Sequence, residues 1–154
     1  QLTTPNDRVA VVVTEPLTAD EALIAFAARV IALRRDLLPL AGHWYSGLPG
    51  SDGLRDLAWL RDDGRPMSEG DWDDPAVRTL AALIGAPGKA GTPLLLLVNA
   101  GAVECPFALP AGPWQALLDS TRADAAVAWR GDAANYPLPA YGMVLLARIA
   151  SPTP

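Results

Sequence analysis

The amino-acid sequence predicts a mainly β protein, an antiparallel sandwich or barrel, with one amphipathic helix in front of it. Three observations carry that expectation. Thr18-Ala19-Asp20-Glu21 is a capping box, followed by apolar residues at helical spacing. A Gly- and Pro-rich stretch from Gly42 to Gly53 then marks a boundary. Beyond it the pattern changes to short apolar runs separated by Gly, Pro and Asp turns, which is the pattern of many closely spaced strands.

The elements follow in order. Val9 to Val13 is β-branched and apolar and reads as a short buried strand or a collapsed loop. The helix is predicted from Thr18, with Leu23, Phe26, Ala27, Val30, Ile31 and Leu37 on one face and Ile24 and Leu33 widening it. Arg34 and Arg35 suit its C-terminal dipole, and Pro39 stops it. The apolar runs are Leu57–Leu60, Leu94–Val98, Cys105–Leu109, Trp114–Leu118, Ala126–Trp129 and Met143–Ile149. Asp63-Gly64 and Asn99-Ala100-Gly101 read as hairpin turns. Val77–Ile84 is ambiguous: Asp74-Pro75 in front and Gly85 behind favour a helix, but the run is short enough for a strand. No internal repeat occurs, and the only biased tract is the tail Ser151–Pro154.

Composition narrows the classes of function. The 154 residues are 51% hydrophobic and 19% charged, which suits a packed core rather than disorder. A net charge of −5 with dispersed arginines argues against nucleic acid, which needs a basic stripe to neutralise phosphates. No apolar run approaches the ~20 residues that span a bilayer, so no membrane partner is expected. Without a signal-peptide pattern, the cytoplasm is the expected compartment, and the missing initiator Met points to an excised or processed piece. The lone Cys105 excludes an internal disulfide and reads as a small core hydrophobe. No cofactor is implied.

Candidate chemistry is sparse. Asp71-Trp72-Asp73-Asp74 supplies carboxylates, but four contiguous residues read as a solvated turn, with Asp74 capping the next element. Glycoside hydrolysis instead needs two carboxyls facing each other across a substrate, in opposite protonation states. His43 is the only histidine, so a His-based triad or multi-histidine metal site lacks material. None of Ser46, Ser51, Ser68, Ser120 and Ser151 sits in a Gly-x-Ser-x-Gly elbow, and Gly85–Gly91 lacks the ending of a phosphate loop. The aromatics are different: five tryptophans accompany two phenylalanines, and flat rings are what sugar faces stack on. Trp59, Trp114 and Trp129 read as core. Trp72, Trp44 and Tyr45 remain as candidate sugar contacts.

Leu57-Ala58-Trp59-Leu60-Arg61-Asp62-Asp63-Gly64-Arg65-Pro66-Met67-Ser68, followed by Asp71-Trp72-Asp73-Asp74-Pro75, resembles a signature of bacterial glycogen-debranching, isoamylase-type enzymes of the α-amylase superfamily. Leu94–Ala100, Phe107–Pro110, Trp114–Asp119 and Tyr141–Leu146 resemble the later segments of that family. The helix from Leu23 to Arg35 is similar to the last helix of the family's catalytic barrel. The resemblance implies an α-amylase-type C-terminal β-sandwich, with Val77–Ile84 as one of its strands.

On this reading residues 1–40 are the end of a barrel, 41–53 a linker, 54–150 the sandwich and 151–154 a tail. The family's catalytic Asp, Glu and supporting Asp lie upstream of this stretch, and no residue here matches them. The resemblance therefore implies a non-catalytic domain supporting the missing barrel of an enzyme that hydrolyses α-1,6 branch linkages in glycogen or limit dextrin. Two alternatives are a glucan-binding module and an interaction domain that pairs, for example as a homodimer, through the Leu23–Leu37 helix face.

Overall fold

A computed structural model describes residues 18–37, 45–50, 53–85, 92–122 and 129–149. The expectations for Val9–Val13, Pro39, His43, Trp44, Ser51, Ala126–Ala128 and the tail from Ser151 lie outside the described residues.

Helix α1 spans Ala19–Leu37. Its capping box is formed as the sequence predicts: the Glu21 amide donates to Thr18 Oγ1 at 3.3 Å, and the Thr18 amide donates to Glu21 Oε2 at 2.9 Å. No helix residue is buried. Phe26, Val30, Leu33 and Leu37 are half-covered, whereas Leu23, Ile24 and Ile31 are about two-thirds exposed. No described helix is long and apolar enough to cross a membrane.

The strands are β1 (Ala58–Leu60), β2 (Thr79–Ile84), β3 (Leu94–Asn99), β4 (Cys105–Ala108), β5 (Trp114–Asp119), β6 (Arg130–Gly131), β7 (Asn135–Leu138) and β8 (Met143–Arg148). A second, short helix, α2, covers Glu69–Asp73. Six strands form an antiparallel sheet in the order β1-β2-β3-β8-β5-β6, and β4-β7 form a separate two-stranded ribbon. The result is a β-sandwich-like domain preceded by a helix.

Period-two alternation sets the core. Leu60, Ala81, Leu83, Leu95, Leu97, Val144 and Leu146 occupy one sheet face, and Phe107, Tyr136 and Leu138 of the ribbon pack against it. Trp114 is fully buried as the sequence predicts, its indole N–H donating to the Pro110 carbonyl at 2.8 Å. Trp129 is half-buried and meets Tyr136 edge to face, ring centres 5.0 Å apart. Val77–Ile84 resolves to strand β2, because pairing with β1 and β3 on both sides outweighs the helical end signals. In the ribbon Pro106 lies directly opposite Pro137, so neither missing N–H interrupts a ladder bond. Gly85 follows β2 where its amide donates to the Arg55 and Asp56 carbonyls, and a side chain there would collide with Arg55.

Two expected features change. Asn99-Ala100-Gly101 is not a hairpin turn, because β3 pairs with β2 and β8 while the chain crosses to the ribbon. Asn99 instead is 2% exposed and organises that crossover. Its Nδ2 donates to the carbonyls of Val103, Leu138 and Pro139 at 2.8, 3.1 and 3.0 Å, and its Oδ1 accepts from the Gly101 amide at 2.9 Å. The second change is at Leu117, which bulges out of the β5–β8 register. Its carbonyl accepts from Arg29 Nε and Nη2 at 3.1 and 2.7 Å, which ties α1 to the sheet.

Asn99→Ala leaves three carbonyls to find other donors and opens a small void. Urea unfolding of the variant is expected to show a loss of roughly 2–4 kcal/mol. A loss under about 0.5 kcal/mol, the scale of an ordinary surface substitution, would contradict the role given to Asn99.

Candidate functional site

The strand β1 and the segment after it form the block that carries the family-like signature. Arg61 donates its amide to the Arg65 carbonyl at 2.8 Å, and Met67 donates to Trp59 at 2.9 Å, closing a hairpin around Asp62-Asp63-Gly64. Gly64 takes φ +81°, as the left-handed position of such a turn requires, so the Asp63-Gly64 expectation holds.

The acidic segment is not the expected loop. Ser68 caps the N-terminus of α2, its Oγ accepting from the Asp71 amide at 3.3 Å while the Ser68 amide donates to Asp71 Oδ2 at 2.8 Å. Polar capping residues three apart form this short helix where contiguous acids alone suggest a turn. Asp74 is its C-cap and also accepts from the Ala76 amide at 2.8 Å, so it opens a turn rather than a second helix.

Trp59 is likewise not core; it is 42% exposed. Ala58 and Leu60 face the core, so alternation sends Trp59 to the opposite face of an edge strand. There it meets Trp72, 54% exposed, with ring centres 5.9 Å apart and planes at 81°. Tyr45 is exposed in the segment before β1; Trp44 lies outside the described residues. The two described candidates, Trp72 and Tyr45, therefore present rings to solvent, and Trp59 joins Trp72. The run Leu57-Ala58-Trp59-Leu60 is apolar throughout, so no alternation in the sequence marks Trp59 as the outward residue.

Next to the ring pair in sequence, Arg61 and Arg65 pair with Asp63 and Asp71. Arg61 Nη1 lies 2.5 Å from Asp71 Oδ1, Arg61 Nε 3.6 Å from Asp63 Oδ2, and Arg65 Nη2 2.5 Å from Asp63 Oδ2. Hydrogen bonds from Ser68 hold the Asp71 carboxyl below the ordinary carboxylate range, and Arg65 does the same for Asp63. Asp56 is held down by the Ser46 amide and hydroxyl and by the amides of Gly47 and Leu57. Arg61 also forms a wall of a cleft of about 560 Å³, together with Asp62, Asp74, Arg78 and Glu104. Among the described residues no three His, Cys, Asp or Glu side chains gather as a metal site.

Cys105 also lines that cleft, half-buried, its Sγ 3.4 Å from Asp62 Oδ2. Burial, then the Asp62 carboxylate, pushes its thiol up to about 11. Such a thiol is protonated near neutrality and a poor nucleophile.

The fold is that of a β-sandwich-like domain preceded by a helix. Similarity to known proteins points to one kind of parent. The chain is 29% identical over 120 residues to the glycogen debranching enzymes of Yersinia pseudotuberculosis and Yersinia pestis, covering 75% of this chain and 16% of theirs. It is 30% identical over 119 residues to the glycogen debranching enzyme of Dickeya chrysanthemi, with the same coverage. No protein-family model matches the chain. The chain is thus homologous to a part of glycogen debranching enzymes, consistent with their C-terminal region.

The position of Cys105 generates a prediction. Alkylation by iodoacetamide in the folded protein is expected to rise with a midpoint near 11 rather than the 9.0 of a free thiol. Asp62→Asn removes the neighbouring negative charge and is expected to shift that midpoint downward. A wild-type midpoint near 9.0, or no shift in the variant, would contradict the placement.

Proposed function

We propose that this chain is a non-catalytic C-terminal domain of a glycogen-debranching enzyme of the isoamylase type within the α-amylase superfamily, bracing a catalytic barrel formed by other parts of the parent polypeptide. The observation that carries the reading is the match of 75% of this chain to 16% of the length of glycogen debranching enzymes.

The carboxylates support it. Glycoside hydrolysis requires one carboxyl raised so that it is protonated, facing a second across the scissile bond. Among the described residues the displaced carboxyls move the other way: Glu21, Asp36, Asp56, Asp63 and Asp71 are all lowered by hydrogen bonds to caps, turns and arginines.

Helix α1 supports the bracing role. Its exposed Leu23, Ile24 and Ile31 form an apolar face with no cover among the described residues, and such faces mark contact surfaces. In this reading the barrel covers that face; pairing of the same face in a homodimer is the alternative occupant.

Incubation of the purified chain with glycogen or limit dextrin is expected to release no reducing ends above a buffer blank. Release that scales with the chain's concentration, persists through further purification and is lost with its thermal unfolding would overturn the non-catalytic reading.

A further inference from the structure

We propose that Trp59 and Trp72 form a glucan-binding corner on the outer side of the β1 edge, from which a bound chain runs over Arg61 toward the adjoining cleft. The choice of an α-glucan as ligand rests on the functional reading above; the existence of a ligand surface here rests on geometry.

The rings form an L. At 81° and 5.9 Å, the edge of one ring meets the face of the other. Both faces of the edge-on ring, and the far face of its partner, are left uncovered by the pair itself. Opposite Trp59 on the neighbouring strand stands Ala82, a side chain too small to overlie an indole. Two large rings 42% and 54% exposed are a costly way to finish a surface, because each leaves apolar area in water.

The charge pattern narrows the ligand's class. Arg61 and Arg65 are matched by Asp63 and Asp71, while Glu69, Asp73 and Asp74 around Trp72 add negative charge, so the surroundings of the rings disfavour an anionic ligand. A neutral ligand with a flat apolar face and polar edges suits that surface, and a pyranose ring has both. The ion pairs also fix the rings. Asp71 is gripped by Arg61 and by the Ser68 cap, one residue before Trp72, while Trp59 lies two residues before Arg61. Trp72 is thereby held against Trp59 before any ligand arrives, which lowers the ordering cost of binding. The cleft beside Arg61, about 560 Å³ and bordered by Asp62, Asp74, Arg78 and Glu104, falls in the size range of small-ligand sites and offers partners for hydroxyls.

The test uses the whole chain in glycogen-containing native gels and in tryptophan-fluorescence titrations with maltoheptaose. Wild-type protein is expected to be retarded by glycogen and to bind maltoheptaose in the millimolar range. Trp59→Ala and Trp72→Ala are each expected to weaken binding about tenfold, equivalent to ~1.4 kcal/mol. Tyr141→Asn is the control: Tyr141 is 74% exposed, at φ +54°, on the turn before β8. It should leave binding unchanged. Matching thermal melts for all variants separate lost contact from lost fold; a variant that melts early is replaced by the Leu substitution, which keeps apolar bulk without a ring and is expected to weaken binding to a similar degree. Absence of retardation in the wild type, or equal binding by the tryptophan variants and the control, overturns the corner. Either result leaves the non-catalytic reading standing, since that reading fails only on glycogen hydrolysis by the chain.

Discussion

The fold depends on the amide of Asn99. A sandwich made from one sheet of six strands and a ribbon of two needs a point where the chain leaves one layer for the other without stranding buried polar groups. Asn99 is that point. It ends β3 in the middle of the large sheet, and its side chain gathers the carbonyls of Val103 on the crossover and of Leu138 and Pro139 at the end of β7. One buried amide thus joins the outgoing crossover to the returning strand. With the ribbon fixed, Phe107, Tyr136 and Leu138 close over the inner face of the sheet. The ribbon in turn steadies the β1 hairpin, because the Ala108 amide donates to the Asp62 carbonyl at 2.7 Å. Core, crossover and aromatic hairpin are one connected arrangement.

Much of this is legible in the sequence, for reasons that differ by element. Helix α1 is legible because its signals are local: a capping box, helical spacing and a basic last turn all agree. The strands β3, β5 and β8 are legible as apolar runs bounded by turns. Strand β7 is not, since Asn135-Tyr136-Pro137-Leu138 contains a proline whose tolerance depends on a partner far along the chain. Asn99 shows the same limit. A turn-forming residue followed by Ala-Gly looks like a hairpin until the pairing of its neighbours is known. The candidate site is half legible: Trp72 stands exposed as expected, while the apolar neighbours of Trp59 make it look like core. In a strand those neighbours point the other way.

What the chain does with its charges bears on its role. Among the described residues Glu21, Asp36, Asp56, Asp63 and Asp71 serve caps, turns or arginines, and their hydrogen bonds favour the ionised form. A catalytic pair is built on the opposite principle, with a carboxyl kept uncomfortable so that it can give up a proton. The Arg29 guanidinium ties helix α1 to the sheet through the bulged Leu117 carbonyl, while Leu23, Ile24 and Ile31 face solvent. No described residue covers that apolar area, and 75% of this chain corresponds to 16% of the length of the enzymes it matches.

The central claim, that this chain is a supporting domain of a debranching enzyme, is tested most directly by exchange. In the Yersinia pseudotuberculosis glycogen debranching enzyme, the segment matched here would be deleted, and in a second version replaced by this chain. The measurement is the release of reducing ends from glycogen limit dextrin by each soluble protein. The account predicts that the deletion loses activity and the replacement regains it. A replacement that folds and stays inactive, or a deletion that remains fully active, would contradict it.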